Sequence, residues 1–189
     1  MYALALLLLI NSLSDDAIKQ IWYADDAASC GQIKNIRSWW DKLVQIGPDY
    51  GYFPNPAKTC LLVKHAAQKA ASDIFSGTGI SISCEGKKYL GAPLGTDTFV
   101  HSFIHQQIST WEKELKLLSK FAITQPHAAY AAFTHGFTSK WTYLTRVVPN
   151  ITDFFAPLEA MIRQIFLPSV TGQSSLSDSE RELLALPVV

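Results

Sequence analysis

The chain opens on a run of apolar residues, 2–10, and its rhythm then changes several times. That run predicts a buried helix fragment, closed by the polar Asn11-Ser12 and an Asp15-Asp16 turn. Residues 18–24 are apolar enough to predict a β-strand, which delivers Asp25-Asp26 to a tight turn, and 27–30 predict a short return strand. From Gln32 the period lengthens. Ile33, Ile36, Trp40, Leu43 and Val44 fall at the spacing of an amphipathic helix, which Gly47-Pro48 stops. Residues 48–57 hold too many glycines and prolines for regular structure. A strand is predicted over 58–63 and a helix over 65–75, ended by Ser76-Gly77-Thr78-Gly79. These elements read as strand, helix, strand, helix on one small sheet.

Residues 80–84 alternate like a strand, Glu85-Gly86-Lys87 turns it, and 88–92 run back as the other arm of a hairpin that Pro93-Leu94-Gly95 closes. From Thr98 the pattern is helical only. It predicts helices over 99–120, over 126–147 with Pro126 in the first turn, and over 152–166. The switch near residue 97 divides the chain into a mixed segment, 1–97, a helical region, 98–170, and a tail, 171–189, made of a polar linker and a short helix over 178–186. The fold class is therefore α+β, with no internal repeat and no low-complexity tract.

Composition changes this picture little. With 189 residues, 48% of them hydrophobic and 17% charged, the chain can bury a sizeable core and is not a disordered segment. Lys+Arg and Asp+Glu stand at 16 each, so no global basic field marks a nucleic-acid binder. Locally, between residues 101 and 150, Lys113, Lys116, Lys120, Lys140 and Arg146 outnumber Glu112 and Glu114, a mild basic excess on the segment expected to be helical. Cys30, Cys60 and Cys84 are odd in number and unpaired in spacing, which fits neither a zinc site nor a disulfide framework and predicts reduced thiols. His101 and His105 are four apart on a predicted helix and could share a metal, but no third ligand accompanies them; His65, His127 and His135 read as core or surface residues. The opening apolar run has no positive charge ahead of it and no small-residue cleavage site behind it, and it is far shorter than the ~20 residues of a membrane span. An intracellular protein, nuclear or cytoplasmic and away from the membrane, is expected.

The candidate chemistry sits at Asp25-Asp26. A strand that delivers two adjacent carboxylates to a tight turn can bring both toward one divalent cation, because turn residues need not alternate faces as mid-strand residues do. Two Mg²⁺ ions about 3.5–4 Å apart clamp the attacking and leaving oxygens of a phosphoryl transfer. An ordinary solvated turn has the same residues, and the blocks downstream decide between the two readings.

Those blocks fall in one order: Tyr23-Ala24-Asp25-Asp26, then Gly51-Tyr52-Phe53-Pro54-Asn55-Pro56-Ala57-Lys58-Thr59, then Tyr89-Leu90-Gly91-Ala92-Pro93-Leu94-Gly95, then helices. In that order the chain resembles the reverse transcriptase domain of non-LTR retrotransposons, over nearly its whole length. The resemblance implies a partial polymerase palm, a small antiparallel sheet with packed helices, followed by an all-helical thumb-like region. It implies RNA-directed DNA synthesis on an RNA template and a DNA primer, with a dNTP as substrate and two Mg²⁺ ions as cofactors. Asp25 would be the metal ligand and Asp26 its neighbour in the same metal site. Lys58 would assist departure of pyrophosphate, Tyr89, Leu90 and Gly91 would position the primer, and Lys113, Lys116, Lys120, Lys140 and Arg146 would contact nucleic acid. Trp39, Trp40, Trp111, Tyr130, Phe133, Trp141 and Tyr143 are expected in helix cores rather than as base-stacking platforms.

Two adjacent carboxylates on one turn cannot hold both ions, so a further Asp is required. In the family it lies upstream, followed by a helix that carries a Gln-Gly-Asp-Pro type block, and residues 2–10 resemble the back half of that helix. The resemblance thus implies that the first catalytic Asp and the nucleotide-gripping fingers are missing, and that the chain is inactive alone. Asp15 and Asp16 cannot replace that Asp: they sit toward the other end of the strand, roughly 25 Å away. Arg181-Glu182-Leu183-Leu184-Ala185-Leu186-Pro187 resembles a segment that continues into a glycine-rich stretch in relatives. A non-catalytic nucleic-acid-binding remnant, or a product without function, is the alternative.

Overall fold

Leu6, Leu9 and Leu13 recur at helical spacing, and in the computed structural model all three are buried on one side of α1 (Leu7–Ser12), while Leu7 and Leu8 face outward. The opening run is therefore amphipathic rather than buried all round. The structure describes residues 6–173, 177, 179 and 180. The chain divides into two compact units, Met1–Lys87 and Lys88–Val189.

In the first unit, β1 (Ile18–Tyr23) and β2 (Asp26–Gly31) form an antiparallel ribbon with Ile18 opposite Gly31 and Tyr23 opposite Asp26. Ile18, Gln20 and Trp22 turn inward, and Lys19, Ile21 and Tyr23 outward. Next, α2 (Ile33–Ile46) buries Trp39, Trp40 and Leu43. Val44, expected in its apolar face, is exposed. The Lys42 ammonium donates to the Ser12 carbonyl, which places a cation at the negative end of α1. Gly47 ends α2 for want of space rather than for its φ: a Cβ there would stand 2.7 Å from the Tyr52 carbonyl oxygen. A 3₁₀ turn, Gly47–Tyr50, follows, and Gly51 at φ 74° reverses the chain.

Three expectations are corrected here. The strand expected over 58–63 is only β3 (Cys60–Leu62), because Asn55 organises a turn ahead of it. The Asn55 carboxamide oxygen accepts from the Ala57 amide at 3.0 Å, and its backbone carbonyl accepts from the Thr59 hydroxyl at 2.8 Å. The strand around residues 80–84 does not pair with 88–92. It is β4 (Ser81–Ser83), which runs parallel to β3 through a crossover of a 3₁₀ turn, His65–Ala67, and α3 (Gln68–Ile74). The hairpin forms instead between β5 (Gly86–Tyr89) and β6 (Ala92–Gly95). Among the described residues the strands thus make three separate two-stranded ribbons, not one sheet. The core of this unit gathers Leu6, Leu9, Leu13, Ile18, Trp39, Trp40, Leu43, Leu61, Ala71 and Phe75.

The second unit is led by α4 (Asp97–Ala122), whose N-terminus is capped by the Thr96 hydroxyl accepting from the Phe99 amide at 3.3 Å. Pro126 starts α5 (Pro126–Ala132), which passes through a π-turn, Phe133–Phe137, into α6 (Thr138–Val147). The third helical segment runs from a 3₁₀ turn, Thr152–Phe155, through α7 (Ala156–Met161) and a second π-turn, Ile162–Phe166, to α8 (Leu167–Thr171). Both π-turns carry rings of the core: Phe133 stacks on Phe166 with centroids 4.5 Å apart, and Trp141 meets Phe133, Phe137 and Trp111 edge-on. Trp111, Phe133 and Trp141 are thus in the helical core, as expected, whereas Tyr143, expected there too, is exposed. Of the tail, residues 174–176, 178 and 181–189 lie outside the described residues, and with them most of the predicted final helix. The fold is α+β, and no helix among the described residues is long and apolar enough to cross a membrane.

Candidate functional site

The pairing of Tyr23 with Asp26 leaves Ala24 and Asp25 as a two-residue hairpin loop. Ala24 has φ 53°, a left-handed conformation in which a side chain is strained, so the loop adopts a turn that glycine would favour at its first position. Asp25 occupies the loop itself. Asp26 is the first residue of β2, and both are exposed. The structure therefore separates the pair into one turn carboxylate and one strand-end carboxylate.

The turn is anchored from behind. The Tyr52 hydroxyl donates to the Asp25 carbonyl oxygen at 3.1 Å, and the Tyr52 ring meets Trp22 edge-on at 5.2 Å. Trp22 Nε1 and Trp39 Nε1 both donate to Gln20 Oε1, at 3.1 and 3.2 Å, while Gln20 Nε2 donates to the Ile10 carbonyl at 2.9 Å and the Ser14 hydroxyl at 3.2 Å. One carboxamide thus ties β1 to α1 and α2, and the Trp22–Tyr52 contact carries that support to the turn. Neither Gln20 nor Tyr52 follows from a motif for metal binding. Only the aromatic and proline crowding around 50–56 hints that the loop is packed.

No group of three His, Cys, Asp or Glu side chains gathers among the described residues. Asp15 and Asp16 lie before the opposite end of β1, where the Asp15 carboxylate accepts from the Ala17 amide at 2.8 Å. Two exposed carboxylates at one turn supply too few oxygen ligands for two Mg²⁺ ions. Lys58 is exposed and lies in the turn before β3 rather than at a strand's start.

In the second unit Leu90 and Gly91 form the tip of the β5–β6 hairpin, at φ 46° and 89°, both left-handed as a type I′ turn requires. The Tyr143 hydroxyl donates to the Leu90 carbonyl, and its ring lies where a Cβ on Gly91 would be 3.3 Å away. The tip is thereby held by α6, an anchor the sequence does not announce. Tyr89 is half-buried in the arm beside it.

The basic residues separate into two kinds. Lys113, Lys116 and Lys120 are exposed along one face of α4, at i, i+3 and i+7, with no ion pair among the described residues. Leu117, 66% exposed, lies among them. Lys140 instead pairs with Glu114 at 2.6 Å and lies over the Phe137 ring at 5.3 Å, so its charge is compensated. Arg146 is exposed in the last turn of α6. His101 and His105 both pack against the Phe154 ring, with centroids 4.9 and 5.0 Å away, which gives them a bland structural role. The three cysteines are free.

Comparison with protein-family models, with curated proteins and with solved structures finds no match.

Proposed function

We propose that this chain is the later palm and the thumb of an RNA-directed DNA polymerase of the reverse transcriptase type. The observation that carries the reading is the two-residue hairpin turn that presents Asp25 and Asp26 to solvent on a buttressed ribbon. Local order supports it: the acid turn, a packed helix, a rigid Pro/Gly loop ending in Lys58, a tight hairpin and a helical region follow one another along the chain.

In this reading Asp25 and Asp26 hold a Mg²⁺ ion, which when bound neutralises phosphate charge at the reacting centre. Lys58 donates a proton or a charge-assisted hydrogen bond to the departing pyrophosphate. Tyr89, Leu90 and Gly91 hold the primer strand through a turn whose backbone is fixed by Tyr143. Lys113, Lys116 and Lys120 contact the phosphates of a template–primer duplex, and Arg146 adds a fourth cation. Lys140 contributes least, because Glu114 already neutralises it.

The unpaired lysines of α4 also favour a second reading, a protein that binds duplex without synthesis, since binding needs those cations and no metal. A single set of measurements separates the two. Affinity for an RNA–DNA hybrid with a recessed 3′ end is expected to fall steeply with salt, and the slope of log affinity against log salt to drop by about 0.9 for each lysine changed to Gln. Added Mg²⁺ is expected to tighten binding in the presence of a dNTP, and Asp25→Asn to remove that increment. The chain alone is expected not to extend the primer, because the acid turn lacks a third carboxylate among the described residues. Salt-dependent binding with no effect of Mg²⁺ or of Asp25→Asn would leave only the second reading. No hybrid binding at any salt would dismiss both.

A further inference from the structure

Phe53 is 74% exposed, the most exposed large apolar side chain among the described residues. Its backbone is nevertheless held on both sides. The Tyr52 amide donates to the Gly47 carbonyl at 3.0 Å, and the Tyr52 hydroxyl reaches the Asp25 carbonyl at 3.1 Å. The position a Cβ would take on Gly47 lies 3.7 Å from Pro54 Cδ, and that on Gly79 lies 3.4 Å from Pro56 Cβ. Pro54 and Pro56 fix their own φ, and Asn55 closes a turn onto Ala57 and Thr59. Exposure alternates along the segment: Tyr52, Pro54 and Pro56 are half-buried, and Gly51, Phe53, Asn55 and Ala57 are exposed. Over 51–55 that is the period of an extended chain, so Phe53 and Asn55 share the outer side, and Lys58 is exposed in the turn that Asn55 begins.

A ring kept in water contributes nothing to stability through burial. On a backbone already held, however, only the two side-chain torsions of the ring lose freedom when it stacks on a planar ligand. The neighbouring groups narrow what that ligand is. Asn55 carries an amide NH₂ with two donors, and Lys58 carries a cation, so the outer side of this loop offers a flat apolar surface, a hydrogen-bond donor and a phosphate partner in sequence.

We propose that Phe53 is a stacking platform for a nucleobase, with Asn55 at the edge of the base or its sugar and Lys58 on the phosphate. The proposal rests on the nucleotidyl-transfer reading of the Asp25–Asp26 turn, to which this loop is tied through Tyr52. It adds a base-binding element to that site, able to take a base from a free nucleotide or from a single strand.

The test uses the full chain and two fluorescent probes, 2-aminopurine riboside triphosphate and a short single-stranded DNA with one 2-aminopurine, because 2-aminopurine loses emission when stacked. The expected result is quenching of at least one probe, weakened roughly tenfold in affinity by Phe53→Ala and retained by Phe53→Trp. Quenching of the triphosphate identifies a free nucleotide as the source of the base; quenching of the oligonucleotide alone identifies a strand. Because the ring is exposed, Phe53→Ala is expected to melt like the wild type, so that loss of quenching reports stacking rather than unfolding. Salt-dependent binding of an RNA–DNA hybrid with no quenching, or with quenching indifferent to Phe53→Ala, overturns this proposal and leaves the nucleotidyl-transfer reading standing. Loss of self-association on Phe53→Ala in sedimentation, in place of loss of quenching, overturns it as well. Failure of probes and hybrid alike to bind at any salt overturns both.

Discussion

Ala24 is the residue at which local strain and candidate chemistry coincide. A β-carbon at φ 53° crowds the following carbonyl, a cost of about 1–2 kcal/mol that glycine avoids. Glycine in turn is harder to order from the unfolded chain, by about 0.4–1 kcal/mol. Ala24→Gly is therefore expected to stabilise the first unit by roughly 0.5 kcal/mol, read as a higher urea midpoint with an unchanged slope. It is also expected to loosen the position of Asp25, because a Gly-Asp loop has more backbone conformations than an Ala-Asp loop. If the variant is destabilised instead, Ala24 makes favourable contacts that outweigh its conformation, and strain is not the reason the turn holds its shape. The same reasoning marks Leu90, whose φ of 46° is accommodated where the Tyr143 hydroxyl fixes its carbonyl.

At the scale of elements, the short Ser177-x-x-Glu180 segment carries a prediction of its own. The Ser177 amide and hydroxyl donate to Glu180 Oε2 at 2.8 and 2.7 Å, and the Glu180 amide donates back to the Ser177 hydroxyl at 3.3 Å. This is a capping box. The hydroxyl and then the amide of Ser177 hold the Glu180 carboxyl below its ordinary value of 4.5. A lowered pKa means that the folded form favours the carboxylate, so the cap contributes above the ordinary carboxylate range and is lost as pH falls through the lowered value. The Ser177 amide resonance is expected to move on acidification at a pH below that of an unstructured Glu, and to stop responding in Glu180→Gln. A Ser177 shift that titrates at the ordinary Glu value would show that the box does not form in solution. Periodicity made the long helices legible, and the alternation of β1 with the acid pair after it made the first hairpin legible. The pairing partner of β4 was not, because alternation says that a strand has two faces and does not say what lies beside it. Residues 80–84 and 88–92 are adjacent in sequence, which favoured a hairpin. The observed parallel pair needs the crossover through α3, and nothing in 58–63 or 80–84 encodes it. The π-turns escaped for a related reason. The 126–147 pattern is helical throughout, and the extra residue per turn at Phe133–Phe137 accompanies ring packing against Phe166, a partner distant in sequence.

For the whole molecule, the consequence is that each unit has a core of its own. Leu43 and Trp40 belong to one, and Phe166, Leu115 and Ile104 to the other. The candidate site residues divide likewise, with Asp25, Asp26 and Lys58 in the first unit and Tyr89, Leu90, Gly91 and the α4 lysines in the second. Their grouping in sequence order was legible; the buttressing of each was not, since Gln20, Tyr52 and Tyr143 act through contacts with residues far along the chain. Separate cores predict separable losses. Phe166 is fully buried and stacks on Phe133, so Phe166→Ala is expected to cost about 3–5 kcal/mol, and Leu43→Ala about 2–5 kcal/mol. If the cores open independently, hydrogen exchange in Phe166→Ala accelerates in α4 to α8 and stays at wild-type rates in α2, and Leu43→Ala gives the converse. Equal acceleration in both units by either substitution would show that the two cores unfold as one. Damage to the helical unit would then also release the Asp25–Asp26 turn, so a destabilising substitution among α4 to α8 would raise exchange in β1 and β2 as well.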